Sequence, residues 1–128
     1  MDTNRKVILA VDDSSANLQL CKGLLSSEYD VRLAKSGTMA LAALERIHAD
    51  IVLLDIEMPD MTGFEVINKM KENLKLRKIP VIFVTSHASS MLAAQAMEHG
   101  AVDYIEKPYV SDVLFSKIES VLKNEQIA

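Results

Sequence analysis

Two adjacent carboxylates, Asp12 and Asp13, close the apolar run Val7-Ile8-Leu9-Ala10-Val11, and a third, Asp55, closes Ile51-Val52-Leu53-Leu54. A lysine, Lys107, follows a further run that ends at Tyr104-Ile105. Acids and a base at the ends of separate apolar runs read as a site for a cation and a phosphoryl group. Three carboxylates brought within a few ångströms repel one another, and each resists ionisation. A hard divalent cation relieves that, and Mg²⁺ suits one or two carboxylates, a backbone carbonyl and retained waters. Such an ion attracts a phosphoryl group and neutralises charge developing on its oxygens. Asp55 can then act as nucleophile, giving an aspartyl phosphate. Lys107 offers a compact positive charge to the other phosphoryl oxygens, and the Thr85 hydroxyl can donate a hydrogen bond to the same group.

Residues so far apart in sequence need a fold that gathers them. Short β-branched runs predict strands at Lys6–Val11, Asp30–Ala34, Ile51–Asp55, Pro80–Thr85 and Val102–Ile105. Between them, apolar residues recur at helical spacing: Leu18, Cys21, Leu25; Ala40, Leu41, Leu44, Ile47; Ile67, Met70, Leu74; Ala93, Ala94, Met97; Leu114, Ile118, Val121. Thr62 with Glu65 forms a candidate capping box, Ser111 a candidate N-cap and Gly100 a helix stop. Strict alternation of strand and helix implies a parallel sheet with helices on both faces. In such sheets ligands bind beyond the C-terminal strand ends, which brings Asp12, Asp13, Asp55, Thr85 and Lys107 to one edge.

At 128 residues the chain is expected to be one domain, 1–128, able to bury roughly two-thirds of its unfolded surface. A net charge of −4 without a basic tract argues against direct nucleic-acid binding. Residues 1–6 are polar, unlike a signal peptide, and no apolar stretch reaches the ~20 residues of a membrane helix, so a cytoplasmic chain is expected. Cys21 reads as a buried small hydrophobe, the seven Met residues as core filler, and His48 and His99 as surface residues near helix ends. Met91 is the one methionine singled out as able to face a partner.

Val11-Asp12-Asp13-Ser14, Leu54-Asp55 with Met58-Pro59 and Gly63, Val84-Thr85-Ser86, Gly100-Ala101, and Asp103 through Pro108 occur in this order. In them the chain resembles the receiver domain of two-component response regulators over essentially its whole length. The resemblance implies a flavodoxin-like five-stranded parallel sheet of order 2-1-3-4-5. It implies phosphorylation of Asp55 by a sensor histidine kinase or phosphotransfer protein, with Mg²⁺ held by Asp13, Asp55, the Glu57 carbonyl and Asp12, directly or through water. Ser86 would contact a phosphoryl oxygen through its amide, and the Lys107–Pro108 bond would be cis. On phosphorylation Thr85 would move toward the phosphoryl group, Tyr104 would turn inward, and the surface of the fourth helix, fifth strand and fifth helix would change. A downstream output domain or protein would read that surface; a homodimer on activation is also admitted. No enzyme activity beyond its own phosphoryl transfer and dephosphorylation is implied.

Taken singly, these residues have plainer readings. Asp12-Asp13 could be a helix N-terminal charge, Lys107 a solvated loop lysine and Tyr104 simple packing. A flavin mononucleotide binder of the same fold is disfavoured by two negative charges where the cofactor phosphate would sit, and by the absence of Trp. A phosphatase with an aspartyl-phosphate intermediate gains something from Glu57, two residues after Asp55. The sequence Ile56-Glu57-Met58-Pro59 nevertheless differs from the Asp-x-Asp-x-Thr pattern of those enzymes, and no substrate cap is visible. A degenerate receiver is disfavoured because no expected site residue is missing. Glu57 and His87, two residues after Asp55 and Thr85, flank the expected path of water and should tune phosphoryl lifetime.

Overall fold

A computed structural model of the chain describes residues 5–86 and 89–127. The element order is β1 (Val7–Val11), α1 (Ser15–Leu25), β2 (Asp30–Ala34), α2 (Gly37–Leu44), β3 (Ile51–Asp55), α3 (Gly63–Glu72), β4 (Val81–Thr85), α4 (Ser90–Glu98), β5 (Asp103–Glu106) and α5 (Ser111–Ile127). All strand pairs are parallel and the sheet runs β2-β1-β3-β4-β5, so the order reverses between β1 and β3. Every strand matches its sequence prediction to within one residue.

Alternating strand residues feed two cores. Leu9, Val11, Val52, Leu54, Val81 and Phe83 point to one face, where Ala40, Leu44, Val66, Ile67, Met70 and Ala96 of α2, α3 and α4 cover them. Ile8, Ala10, Leu53, Ile82, Val84 and Ile105 point to the other, under Leu18, Cys21, Leu25, Leu114 and Ile118 of α1 and α5. β3 and β4 are buried along their whole length, as strands covered on both faces must be. Burial also pushes the Cys21 thiol up to about 12, consistent with a packing role.

Helix ends follow their chemistry. Thr62 and Glu65 form the expected capping box on α3. Gly100 has φ +96, with its N–H bonded to Met97 O and that of Ala101 to Ala96 O, the paired bonds that stop α4.

Five expectations need correction. Leu74, expected to continue the helical repeat of Ile67 and Met70, lies beyond the end of α3 and is 74% exposed. Ser111 is the first helical residue of α5, not its cap; the Leu114 N–H bonds back to Val110 O. The buried side of α4 runs through Ala96, with Leu92 and Ala93 half-buried, while Ala94 and Met97 face out. Met39, Met91 and Met97 are also exposed, so methionine is only partly core filler; Met1 lies outside the described residues. His99, expected on the surface, is half-buried: its ring lies 4.6 Å from that of Phe64 and its Nδ1 is 2.9 Å from Asn68 Oδ1.

Candidate phosphoacceptor and metal site

The C-terminal strand ends carry the expected side chains. Asp55 ends β3 and is 4% exposed; its Oδ1 accepts from the Glu57 N–H at 3.2 Å, so the chain turns immediately after the acid. Asp12 follows β1 and is 1% exposed. Its N–H donates to Ala34 O at 3.1 Å, fastening this loop to the end of β2, and its Oδ1 accepts from the Ser14 N–H at 2.9 Å. Lys107 follows β5, donates its N–H to Thr85 O at 2.8 Å, and precedes Pro108 through a cis bond.

These anchors converge. Lys107 Nζ lies 2.7 Å from Asp12 Oδ2 and 3.4 Å from Asp55 Oδ2. One ammonium is therefore shared by two buried carboxylates. Burial is the largest effect on Asp55 and pushes its carboxyl up to about 6; the Lys107 charge and the Glu57 N–H oppose that rise, while Asp12 adds to it. On Lys107 burial works against the charged form. The contact with Asp12 and the charges of both acids outweigh it, so the ammonium is held above its ordinary range.

Carboxylate oxygens of Asp12, Asp13 and Asp55 lie within 4.8 Å of one another, with Asp13 exposed and the other two buried. Asp12 Oδ2 is buried, and the Lys107 ammonium at 2.7 Å is its partner. An all-oxygen set of three carboxylates with one side open to solvent fits a hard divalent cation. Glu57 and Ser86 are exposed, immediately beyond β3 and β4, while Thr85 is 1% exposed. Tyr104 is half-buried, and together with Thr85, Ile56, Leu92, Ala93 and Ala96 it lines a narrow crevice under α4.

The family model of the response regulator receiver domain matches residues 8–119. The chain belongs to this family. Receiver domains are the phosphoryl-accepting modules of two-component signalling, and they bind Mg²⁺ at an acidic pocket. This one is 40% identical over 125 residues to the probable cyclic di-GMP phosphodiesterase of Vibrio cholerae serotype O1, covering 98% of this chain and 28% of that protein. It is 39% identical over 117 residues to the response regulator PleD of Caulobacter vibrioides, covering 91% and 26%. The chain thus spans about a quarter of the length of these curated relatives. Against the two-component response regulator ORR11 of Oryza sativa subsp. japonica it is 40% identical over 116 residues, 87% of this chain and 79% of that one. Among solved structures, the CheY-like receiver domain protein of Methanospirillum hungatei JF-1 superposes with a TM-score of 0.88 at 33% identity, covering 96% and 98%. The chemotaxis protein CheY4 of Vibrio cholerae gives 0.87 at 28%, covering 91% and 98%. Membership sets aside the flavin-binding and phosphatase readings. No described helix of this receiver domain is long and apolar enough to cross a membrane.

Two contacts beside the site carried no local signal in the sequence. Lys117 Nζ stands 5.5 Å from the centre of the Tyr104 ring and 2.9 Å from Asp103 Oδ1, placing a cation over the ring expected to move. Asp60, in the loop after β3, bonds to the start of α2.

Proposed function

We propose that residues 1–128 form a single receiver domain whose phosphoryl acceptor is Asp55, loaded by a sensor histidine kinase or a phosphotransfer protein. The observation that carries this is the buried Asp55 carboxylate at the end of β3, sharing Lys107 with the buried Asp12. In the transfer, an Asp55 oxygen bonds to phosphorus as the phosphorus–nitrogen bond of the donor phosphohistidine breaks, and the imidazole leaves with the electron pair. Lys107, held 3.4 Å from Asp55, pairs with an oxygen of the arriving group. The Ser86 amide and the Thr85 hydroxyl donate to its other oxygens. Asp12, Asp13, Asp55 and the Glu57 carbonyl would hold Mg²⁺, which supplies neutralisation of the charge gathered on acceptor and phosphoryl oxygens.

Thr85 and Tyr104 line one crevice, which supports their acting as a pair. Thr85 moves toward the phosphoryl group, Tyr104 turns into the space it leaves, and the surface of α4, β5 and α5 changes for an output domain or protein, or for a second copy of the chain. The equilibrium shifts only as far as phosphate favours the switched arrangement. The domain works in the cytoplasm, needs no direct contact with nucleic acid, and catalyses only its own phosphoryl transfer and dephosphorylation.

Acetyl phosphate with Mg²⁺ tests the assignment. It should add one phosphoryl group by intact mass, and Asp55→Asn should abolish the gain. Undiminished labelling in that variant would refute Asp55 as the acceptor.

A further inference from the structure

The loop from β3 to α3 carries Glu57, whose carbonyl is a proposed cation ligand, and it is fastened at two points. At its base the Gly63 N–H donates to Ile56 O at 2.8 Å. At its tip Asp60 crosses to another element: Oδ1 accepts from the Gly37 N–H at 3.3 Å, and Oδ2 accepts from the Thr38 N–H at 3.2 Å and the Thr38 hydroxyl at 3.0 Å. The first N–H groups of a helix lack intrahelical partners and favour a carboxylate. Here Ser36, the helix's own cap, serves the Met39 N–H, and Asp60 serves the two N–H groups before it. The Thr38 N–H, together with its hydroxyl and the Gly37 N–H, holds the Asp60 carboxyl below its ordinary range.

The contact leaves no slack. A Cβ on Gly37 would lie 2.8 Å from Val66 Cγ2 and 2.9 Å from Met61 Cβ, so the first turn of α2 sits directly on the residue after Asp60. The same stretch reaches the other half of the site, because Ala34 O accepts from the Asp12 N–H at 3.1 Å. Residues 34–38 therefore touch the Asp12–Asp13 loop at one end and the Glu57 loop at the other.

We infer that Asp60 is a positioning residue for the cation and phosphoryl site, bracing the Glu57 loop against α2 and so fixing its spacing from Asp12 and Asp13. This rests on the ligand set proposed above. A residue that merely capped α2 would contribute stability alone, and Ser36 makes the same kind of side-chain bond to the same helix, to the Met39 N–H.

The test is Mg²⁺ titration of the whole chain by backbone amide shifts at about 0.15 M salt, where exposed charges are largely screened. Melting curves and metal-free amide exchange are recorded alongside for wild type, Asp60→Ala, Asp60→Asn and Ser36→Ala. Asp60→Ala should raise the Mg²⁺ Kd by about tenfold, the lower end of what lost support of metal ligands usually does. It should also speed exchange of the Glu57 and Met58 amides in the metal-free protein. Asp60→Asn, which keeps an oxygen acceptor, should recover most of the affinity. Ser36→Ala should lower the melting temperature while leaving Kd within about twofold of wild type. An unchanged Kd in Asp60→Ala, or an equal rise in Ser36→Ala, overturns the brace while leaving the ligand set standing. Wild type that binds no Mg²⁺ overturns both. Should Asp60→Ala not fold, Asp60→Ser, whose hydroxyl is too short to reach both the Gly37 and Thr38 N–H groups, takes its place, and wild-type Mg²⁺ affinity in it overturns the brace.

Discussion

Gly63 stands so close to the main chain of Asp55 that a Cβ on it would lie 2.6 Å from the Asp55 carbonyl oxygen. The same atom would meet Ile56 Cα at 2.9 Å and Phe83 Cε1 at 3.1 Å. Two of these neighbours are backbone, and the third belongs to a fully buried ring. None can swing away as the end of a flexible chain could. The start of α3 is thereby pressed against the strand end that presents the acceptor.

Gly63→Ala should consequently act on the site as well as on the fold. Forcing an atom into a filled space typically costs about 1–3 kcal/mol, and urea denaturation should show a loss in that range. Phosphoryl incorporation from acetyl phosphate should fall further than in a variant of equal stability mutated away from β3, such as one at Leu25. Equal incorporation at matched stability would mean the Asp55 backbone tolerates the shift.

Lys107 balances two acids that burial would otherwise leave uncompensated. Removing one partner of a buried ion pair costs about 3–5 kcal/mol, and the 13% exposure of the Lys107 side chain puts this case near the lower figure. Lys107→Ala should lose on the order of 3 kcal/mol in chelator and regain a good part of it with Mg²⁺. The readout is urea denaturation under both conditions; a loss indifferent to Mg²⁺ would contradict shared compensation.

The raised Asp55 carboxyl sets a pH dependence of the metal-free protein. Its unfolded value is near 3.8 and its folded value about 6, so the native state holds the proton more tightly. That contribution is fully present below the unfolded value and is lost as pH rises through the folded one. Two units correspond to roughly 3 kcal/mol as an upper bound. Denaturation in chelator should show stability declining from about pH 4 to about pH 7, and Asp55→Asn should remove most of that slope. A slope unchanged in Asp55→Asn would assign it to other carboxylates.

The parallel sheet was legible because β1, β3 and β4 are apolar runs ended by a turn or an acid, and the shorter mixed runs of β2 and β5 alternate with helical periodicity, a pattern that needs no tertiary information. The site was legible for a related reason: an α/β sheet brings its C-terminal strand ends together, so Asp12, Asp55 and Lys107 had to meet. Their order across the sheet came from the motif resemblance, since apolar runs alone do not say which strands are neighbours. Pairings between helices left no such trace. Asp60 meets Thr38 across 22 residues and His99 meets Asn68 across 31, and nothing local in either segment announces its partner. The register of α4 was missed because Ala93, Ala94 and Met97 are apolar whether or not they face the core. Alanine and methionine at helical spacing define a face less sharply than leucine and isoleucine do.

Thr85 and Tyr104 both line the crevice under α4, with the Lys117 ammonium over the Tyr104 ring. If the hydroxyl of Thr85 draws the switch, Thr85→Ala should still accept phosphate but show a weaker response on α4, β5 and α5. Amide exchange with and without a phosphoryl mimic measures that response. A wild-type pattern in the variant would route the switch through other residues.

Glu57 bears on how long the signal lasts. It is exposed, and its N–H donates to Asp55 Oδ1, which keeps the residue beside the acceptor. Two effects of its carboxylate oppose each other. It can orient or deprotonate a water attacking the aspartyl phosphate, and general acid–base assistance is worth up to about 10²–10⁴-fold when well placed. Its charge also repels that developing on the phosphoryl oxygens, but a repulsion exposed to solvent and salt is worth well under about 1 kcal/mol. Orientation therefore wins unless His87 ties Glu57 up in an ion pair, and Glu57→Ala should lengthen the phosphoryl lifetime by about tenfold at most, because an exposed carboxylate falls well short of full general-base assistance. His87, expected to have a smaller effect, lies outside the described residues. Decay of the aspartyl phosphate, followed by intact mass after removal of acetyl phosphate, gives the sign directly. Faster decay in Glu57→Ala would mean that repulsion dominates and that Glu57 protects the phosphoryl group.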